Sequence, residues 1–161
     1  MEKPKIYIET SVFSFYHETR EHGEYPTYKV QVREVFDRIK DGEYEPFTSI
    51  FVIDELAKEK NLDKLKKIRE LIADLGVTFL EVTDEVERMA ILYIKEEAVS
   101  PAWETDAAHI AMATVNGLDF IVSLNFTHIV RTWTIERVRR VNKREGYQGI
   151  GIYKPAEVLE L

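Results

Sequence analysis

The chain has 161 residues, 45% of them hydrophobic and 32% charged, with only 7 Gly and 5 Pro, which predicts one ordered domain over residues 1–161 rather than a disordered or fibrous chain. No cysteine is present, so disulfides, zinc-thiolate sites and iron-sulfur clusters are excluded, and a metal would need oxygen or imidazole ligands, a set suited to a hard cation. The net charge of −7 argues against nonspecific coating of nucleic acid.

In chain order, "KIYI" from Lys5 to Ile8 predicts a short strand, and "TSVFSFY" a turn into a helix capped by Thr10 or Ser11. "HETREHGEYP" reads as a polar loop. Val32, Val35, Phe36 and Ile39 mark a helix ended by Gly42, and "YEPFTS" is the second strand. Ser49 caps a helix expected to run through Lys60, and Leu62, Leu65, Ile68, Ile72 and Leu75 mark another, stopped by Gly76. "VTFLEV" is the third strand, followed by a helix carrying Val86, Met89, Ala90 and Tyr93. After Pro101 comes the apolar helix of "ETDAAHIAMATVNG", then the strand "DFIVS". A basic helix with Ile135, Val138 and Val141, the strand "GIGIYK" and a short tail from Pro155 complete the chain.

Strands alternate with helices and no hairpin signal occurs, which predicts an α/β fold: a three-layer α/β/α sandwich around a central parallel sheet. In such a sheet ligands gather beyond the carboxyl ends of the strands. Glu9 directly follows the first strand, Glu55 lies two turns into the helix after the second, Asp106 stands in the first turn of its helix, and Asn125 comes two residues after "FIVS". Each has an ordinary reading alone: Asp106 as an acid favoured at a helix N-terminus, Glu9 as a solvated strand end, Glu55 as part of a solvated helix face, Asn125 as a turn residue. Together, at corresponding positions of the alternation, they predict one acidic site for Mg²⁺ or Mn²⁺, because clustered carboxylates raise one another's pKa unless a cation neutralises them. Asp54 points about 100° away from Glu55 around the helix, and Asp119 precedes its strand and is read as structural. His109, one turn after Asp106, supports the site from behind at most.

The segments "IYIETSV", "SIFVIDEL", "DAAHIAMA", "DFIVSLNFTHIV" and the closing "GIGIYKPAEVLEL", in that order, resemble the PIN-domain ribonuclease family and its VapC-like toxin branch. The resemblance implies a PIN-like fold, Mg²⁺- or Mn²⁺-dependent endoribonuclease activity, a homodimer and, in the toxin branch, a small antitoxin partner. It maps the family's acids onto Glu9, Glu55 and Asp106, and a position where many members carry a fourth acid onto Asn125; Thr10 and Ser123 match accompanying hydroxyl residues. Two positions depart from the pattern: Glu9 is one methylene longer than the usual Asp, and Asn125 is neutral, so a second metal becomes harder to hold.

The reaction expected is hydrolysis of an RNA phosphodiester. Arg131 to Glu145 holds six basic residues against two acids, and Arg137, Arg140 and Arg144, spaced three and four apart, are expected to grip RNA, with Trp133 and Tyr147 available to stack on bases; a solvated helix face is the competing reading of the strip. A PIN-like module that binds or assembles without catalysis is the alternative, and a nucleotide-binding domain is weaker because "ETSVFSFY" has no glycine. Neither a signal-peptide pattern in "MEKPKIYIET" nor a run of roughly 18 apolar residues occurs, so a cytoplasmic protein without membrane contact is expected.

Overall fold

The computed structural model describes residues 2–161. Five strands form one parallel sheet: β1 (Lys5–Ile8), β2 (Glu45–Ser49), β3 (Thr78–Leu80), β4 (Phe120–Val122) and β5 (Gly151–Tyr153), in the order β3-β2-β1-β4-β5. The chain leaves β1 toward one edge and later returns to β4 on its other side. A switch point therefore opens between the carboxyl ends of β1 and β4, where open α/β sheets bind ligands.

Alternation along the strands divides the core into two layers. Ile6 and Ile8 of β1 with Phe120 and Val122 of β4 face α1 (Thr10–Phe15), α2 (Tyr25–Lys40) and α4 (Leu62–Leu75), through Phe13, Phe36 and Ile68. Tyr7, Ile121 and Ile152 face α5 (Asp84–Lys95), α6 (Glu104–Val115) and α7 (Thr132–Arg144), through Met89, Ile110 and Val138. The expected three-layer α/β/α sandwich with a central parallel sheet is thus the observed architecture. The helix α6 is buried from Asp106 to Thr114, and the Tyr93 hydroxyl, 2.6 Å from Asn142 Oδ1 and 2.9 Å from Thr114 Oγ1, ties α5, α6 and α7 together.

Several boundaries differ from the expected ones: the strands read in "VTFLEV" and "GIGIYK" each shorten to three residues, and four further differences concern the helices. The helix α1 is capped by Glu9, whose Oε2 accepts the Ser11 N–H at 3.1 Å, so Thr10 and Ser11 sit inside the first turn with their hydroxyls free for other partners. The loop expected through Pro26 ends earlier, because α2 begins at Tyr25 with Pro26 in its first turn, where proline's missing N–H costs nothing. Ser49 does cap α3 (Ile50–Leu56), but that helix stops before Lys60. The N–H groups of Lys58 and Glu59 turn back tightly onto the Glu55 and Leu56 carbonyls, and Asn61 then caps α4 through Lys64 N–H. The tail from Pro155 contains one more helical turn, α8 (Pro155–Val158). Gly76, at φ 64°, takes the left-handed cap of α4 that a side chain would disfavour.

Candidate active site

The sheet ends bring the sequence-predicted residues to one place. Glu9 continues the β1 ladder by donating its N–H to the Val122 carbonyl at 3.2 Å, and its carboxylate is buried at 3% exposure. The Ser11 and Ser123 hydroxyls each donate to Glu9 Oε1 at 2.5 Å. Ser11 Oγ in turn accepts from Leu124 N–H at 2.9 Å and Ser123 Oγ from Asn125 N–H at 2.9 Å. Glu9 is therefore fixed from both strands of the switch point.

Glu55 comes from α3, with its neighbour Asp54 exposed on the other side of the helix as the 100° step predicts. Its Oε1 accepts from the Thr10 hydroxyl at 2.7 Å and lies 2.5 Å from His109 Nε2. His109 has no exposed surface, and its Nδ1 is 2.7 Å from the Tyr7 hydroxyl, which is 2.7 Å from Ser49 Oγ. Burial pushes the Tyr7 phenol far above its ordinary pKa, so it stays neutral. For Glu55 burial acts upward, but the hydrogen bond and charge of His109, with Thr10 and Lys58, outweigh it and hold the carboxyl below its usual range. An ionised carboxylate only accepts, so the network assigns the proton of this contact to His109 Nε2.

Asp106 is 7% exposed in the first turn of α6. Burial, then the charge of Glu9, then that of Glu55 push its carboxyl up to about 6, against the opposing effects of His109 and the Asn125 side chain. Asn125 Oδ1 closes the turn after β4 by accepting from His128 N–H at 3.0 Å. A neutral amide thus stands beside Asp106 where an acid would add a further like charge.

The atoms that come closest in a chelating arrangement belong to Glu9, Glu55 and His109, within 4.8 Å of one another; Asp106 flanks this set. His109 is the nearest nitrogen, but its Nε2 proton goes to Glu55 and its Nδ1 is bonded to Tyr7, so the ligand set left for an ion is carboxylate oxygen, which suits Mg²⁺ or Mn²⁺. Asp119, at the opposite sheet edge, accepts from Lys5 N–H at 2.6 Å, the structural role expected of it.

The arginine strip is placed elsewhere. Arg137, Arg140 and Arg144 line one cavity of about 290 Å³ with Glu96 and Glu97, and it shares no lining residue with the cavity over the acids. Arg144 pairs with Glu96 at 2.9 Å, while Arg137 lies over the Trp133 ring. The Trp133 indole N–H bonds the Glu97 carbonyl at 2.8 Å and the Tyr147 hydroxyl bonds Glu85, so both aromatic groups expected to stack on bases already hold partners in the chain.

The cavity over the acids, about 450 Å³, is lined by Glu55, Asp106, Asn125 and Lys58 and by Trp103 and His128, whose rings stack with centroids 4.2 Å apart. Sequence reasoning missed Tyr7, Ser11, Trp103 and His128. A tyrosine inside the apolar "IYI" was the one local signal for the relay behind His109, while the Trp103–His128 pair joins segments 25 residues apart and has none. No protein-family model matches this chain, and no curated protein matches it. Among the described residues no helix is long and apolar enough to cross a membrane.

Proposed function

We propose that this protein is a Mg²⁺- or Mn²⁺-dependent endoribonuclease of the PIN-domain, VapC-like kind, which cuts RNA phosphodiester bonds. The observation that carries this reading is the meeting of Glu9 and Glu55, with His109, within 4.8 Å of one another at the β1/β4 switch point, and of a buried Asp106 near enough for both their charges to act on it. Burying like charges together is costly unless a cation offsets them.

Glu9, Glu55 and Asp106 would hold the ion. Once bound, it would supply Lewis acidity toward the phosphodiester and favour deprotonation of water. The chain's own contribution is positional. Ser11 and Ser123 fix the Glu9 carboxylate, Thr10 and His109 fix that of Glu55, and Tyr7 with Ser49 holds the His109 ring. Asn125 orients against Asp106 without adding charge. The further partners of this reading are an RNA substrate, a second copy of the chain in a homodimer and a small antitoxin, in a cytoplasmic setting.

One observation favours a second reading, a PIN-like binding or assembly module without catalysis. Three hydrogen bonds to Ser11 and Ser123 occupy both oxygens of Glu9, leaving it fewer lone pairs for an ion. Incubating a panel of single-stranded and structured RNAs with native protein and Asp106→Asn, in Mn²⁺, Mg²⁺ and chelator, separates the two. Metal-dependent cutting that disappears in the variant supports the nuclease; no cutting by native protein in either metal favours the module.

A further inference from the structure

The acid cavity carries an aromatic feature that metal binding does not use. Trp103 closes the turn before α6, three residues ahead of Asp106, and donates its backbone N–H to the Ser100 carbonyl at 2.9 Å. Its ring stacks on His128 at 4.2 Å with planes 25° apart, yet 45% of its surface remains exposed. His128 is held in place through its N–H bond to Asn125 Oδ1. Burial, then the charge of Arg131, keep its pKa below the ordinary histidine value, which leaves the ring neutral near pH 7. The pair and the acids line the same cavity, of about 450 Å³, within the size range of small-molecule sites.

The electrostatics of this cavity select the part of RNA that can enter. Glu55, Glu104 and Asp106 outnumber Lys58 along its wall, so a phosphate without a counter-ion is repelled. A nucleobase is flat and uncharged, and it stacks on aromatic rings whatever its identity. Bases in a duplex are already stacked and paired, and only an unpaired base offers a free face.

We infer that Trp103, backed by His128, is the stacking platform for one unpaired nucleobase of single-stranded RNA beside the acid cluster. This deepens the ribonuclease reading by naming the side chains that receive a base beside the acids, and it rests on that reading. Trp103 is here a specificity-determining residue rather than a catalytic one.

The test measures fluorescence anisotropy of a labelled 12-nucleotide single-stranded RNA and of the same strand in a blunt duplex. Binding is read in Mn²⁺, in an Asp106→Asn background that prevents cutting. Trp103→Ala is expected to weaken single-strand binding roughly 5- to 150-fold, the range that stacking of one base contributes, and to leave duplex binding unchanged. Trp103→Phe, which keeps an aromatic face, should restore most of the loss, and His128→Ala should reproduce part of it.

Unchanged single-strand affinity in Trp103→Ala overturns the platform, as does an equal loss for both probes. A changed oligomeric mass with RNA binding intact overturns it too, and makes Trp103 a protein contact. Cleavage by native protein is scored separately. Trp103-dependent binding without cutting sinks the nuclease and leaves the platform; cutting without Trp103 dependence does the reverse.

Discussion

Glu55 Oε1 lies 2.5 Å from His109 Nε2, and the imidazole behind that contact is wholly buried. Because Nε2 carries the shared proton, His109 acts on the site by steering Glu55, while its Nδ1 leans on Tyr7 and Tyr7 on Ser49. The relay joins α3, α6, β1 and β2 through side chains alone.

Cutting that relay should be visible in stability before activity is considered. Tyr7→Phe leaves His109 Nδ1 buried without its partner, a loss of about 1–3 kcal/mol. Urea denaturation of native protein and Tyr7→Phe reads it directly, and an unchanged midpoint would mean that the hydroxyl is not bonded to the ring.

Asp106 sets a pH dependence with a definite sign. Its folded pKa is about 6, raised above its unfolded value near 4 by burial and by the charges of Glu9 and Glu55. The folded protein therefore holds the extra proton between these values, and the destabilisation grows as pH rises from about 4 to 6 and is complete above that. The effect is of order 2–3 kcal/mol. Asp106→Asn should be more stable than native protein at pH 7 without metal, with the gain vanishing near pH 4. Glu55 works oppositely, since its lowered pKa adds stability above its unfolded value that is lost in acid. Comparing the two proteins by denaturation across pH 4–8 isolates Asp106.

Metal should reverse the Asp106 penalty. An ion that binds only the folded state stabilises by about 2.7 kcal/mol at a hundred times its Kd. Mn²⁺ should therefore raise the Tm of native protein and leave Glu9→Gln nearly unmoved. Ser123→Ala, which removes one donor to Glu9 Oε1, should weaken metal affinity about 10- to 100-fold. Equal Tm increments in all three proteins would place the ion elsewhere.

The basic strip on α7 should contribute unevenly. Arg144 already pairs with Glu96 and Glu145, whereas Arg140 has no carboxylate within 4 Å among the described residues. Arg140→Ala should lower RNA affinity and reduce the salt slope by about 0.7 for a single strand, and Arg144→Ala should do less. Kd measured from 50 to 200 mM salt distinguishes them, and equal slopes for both variants would make the strip a solvated face.

The sequence by itself determined the layers and the address of the site. The β-rich run "KIYI", helical spacing in the segments between strands and the absence of hairpin turns were enough for a parallel α/β/α sandwich. The chain position of Glu9, Glu55, Asp106 and Asn125 relative to strand ends was enough to put them on one sheet edge. Such signals are local, and each residue carries its own. Tertiary structure alone decided which atoms meet. Thr10 and Ser11, legible as caps, became donors to Glu55 and Glu9 because Glu9 capped the helix instead. His109 reached Glu55 across 54 residues, and Trp103 stacked on His128 from another loop. Those contacts depend on how α3, α6 and the turn after β4 pack around the switch point, a distance relationship that no spacing along the chain encodes.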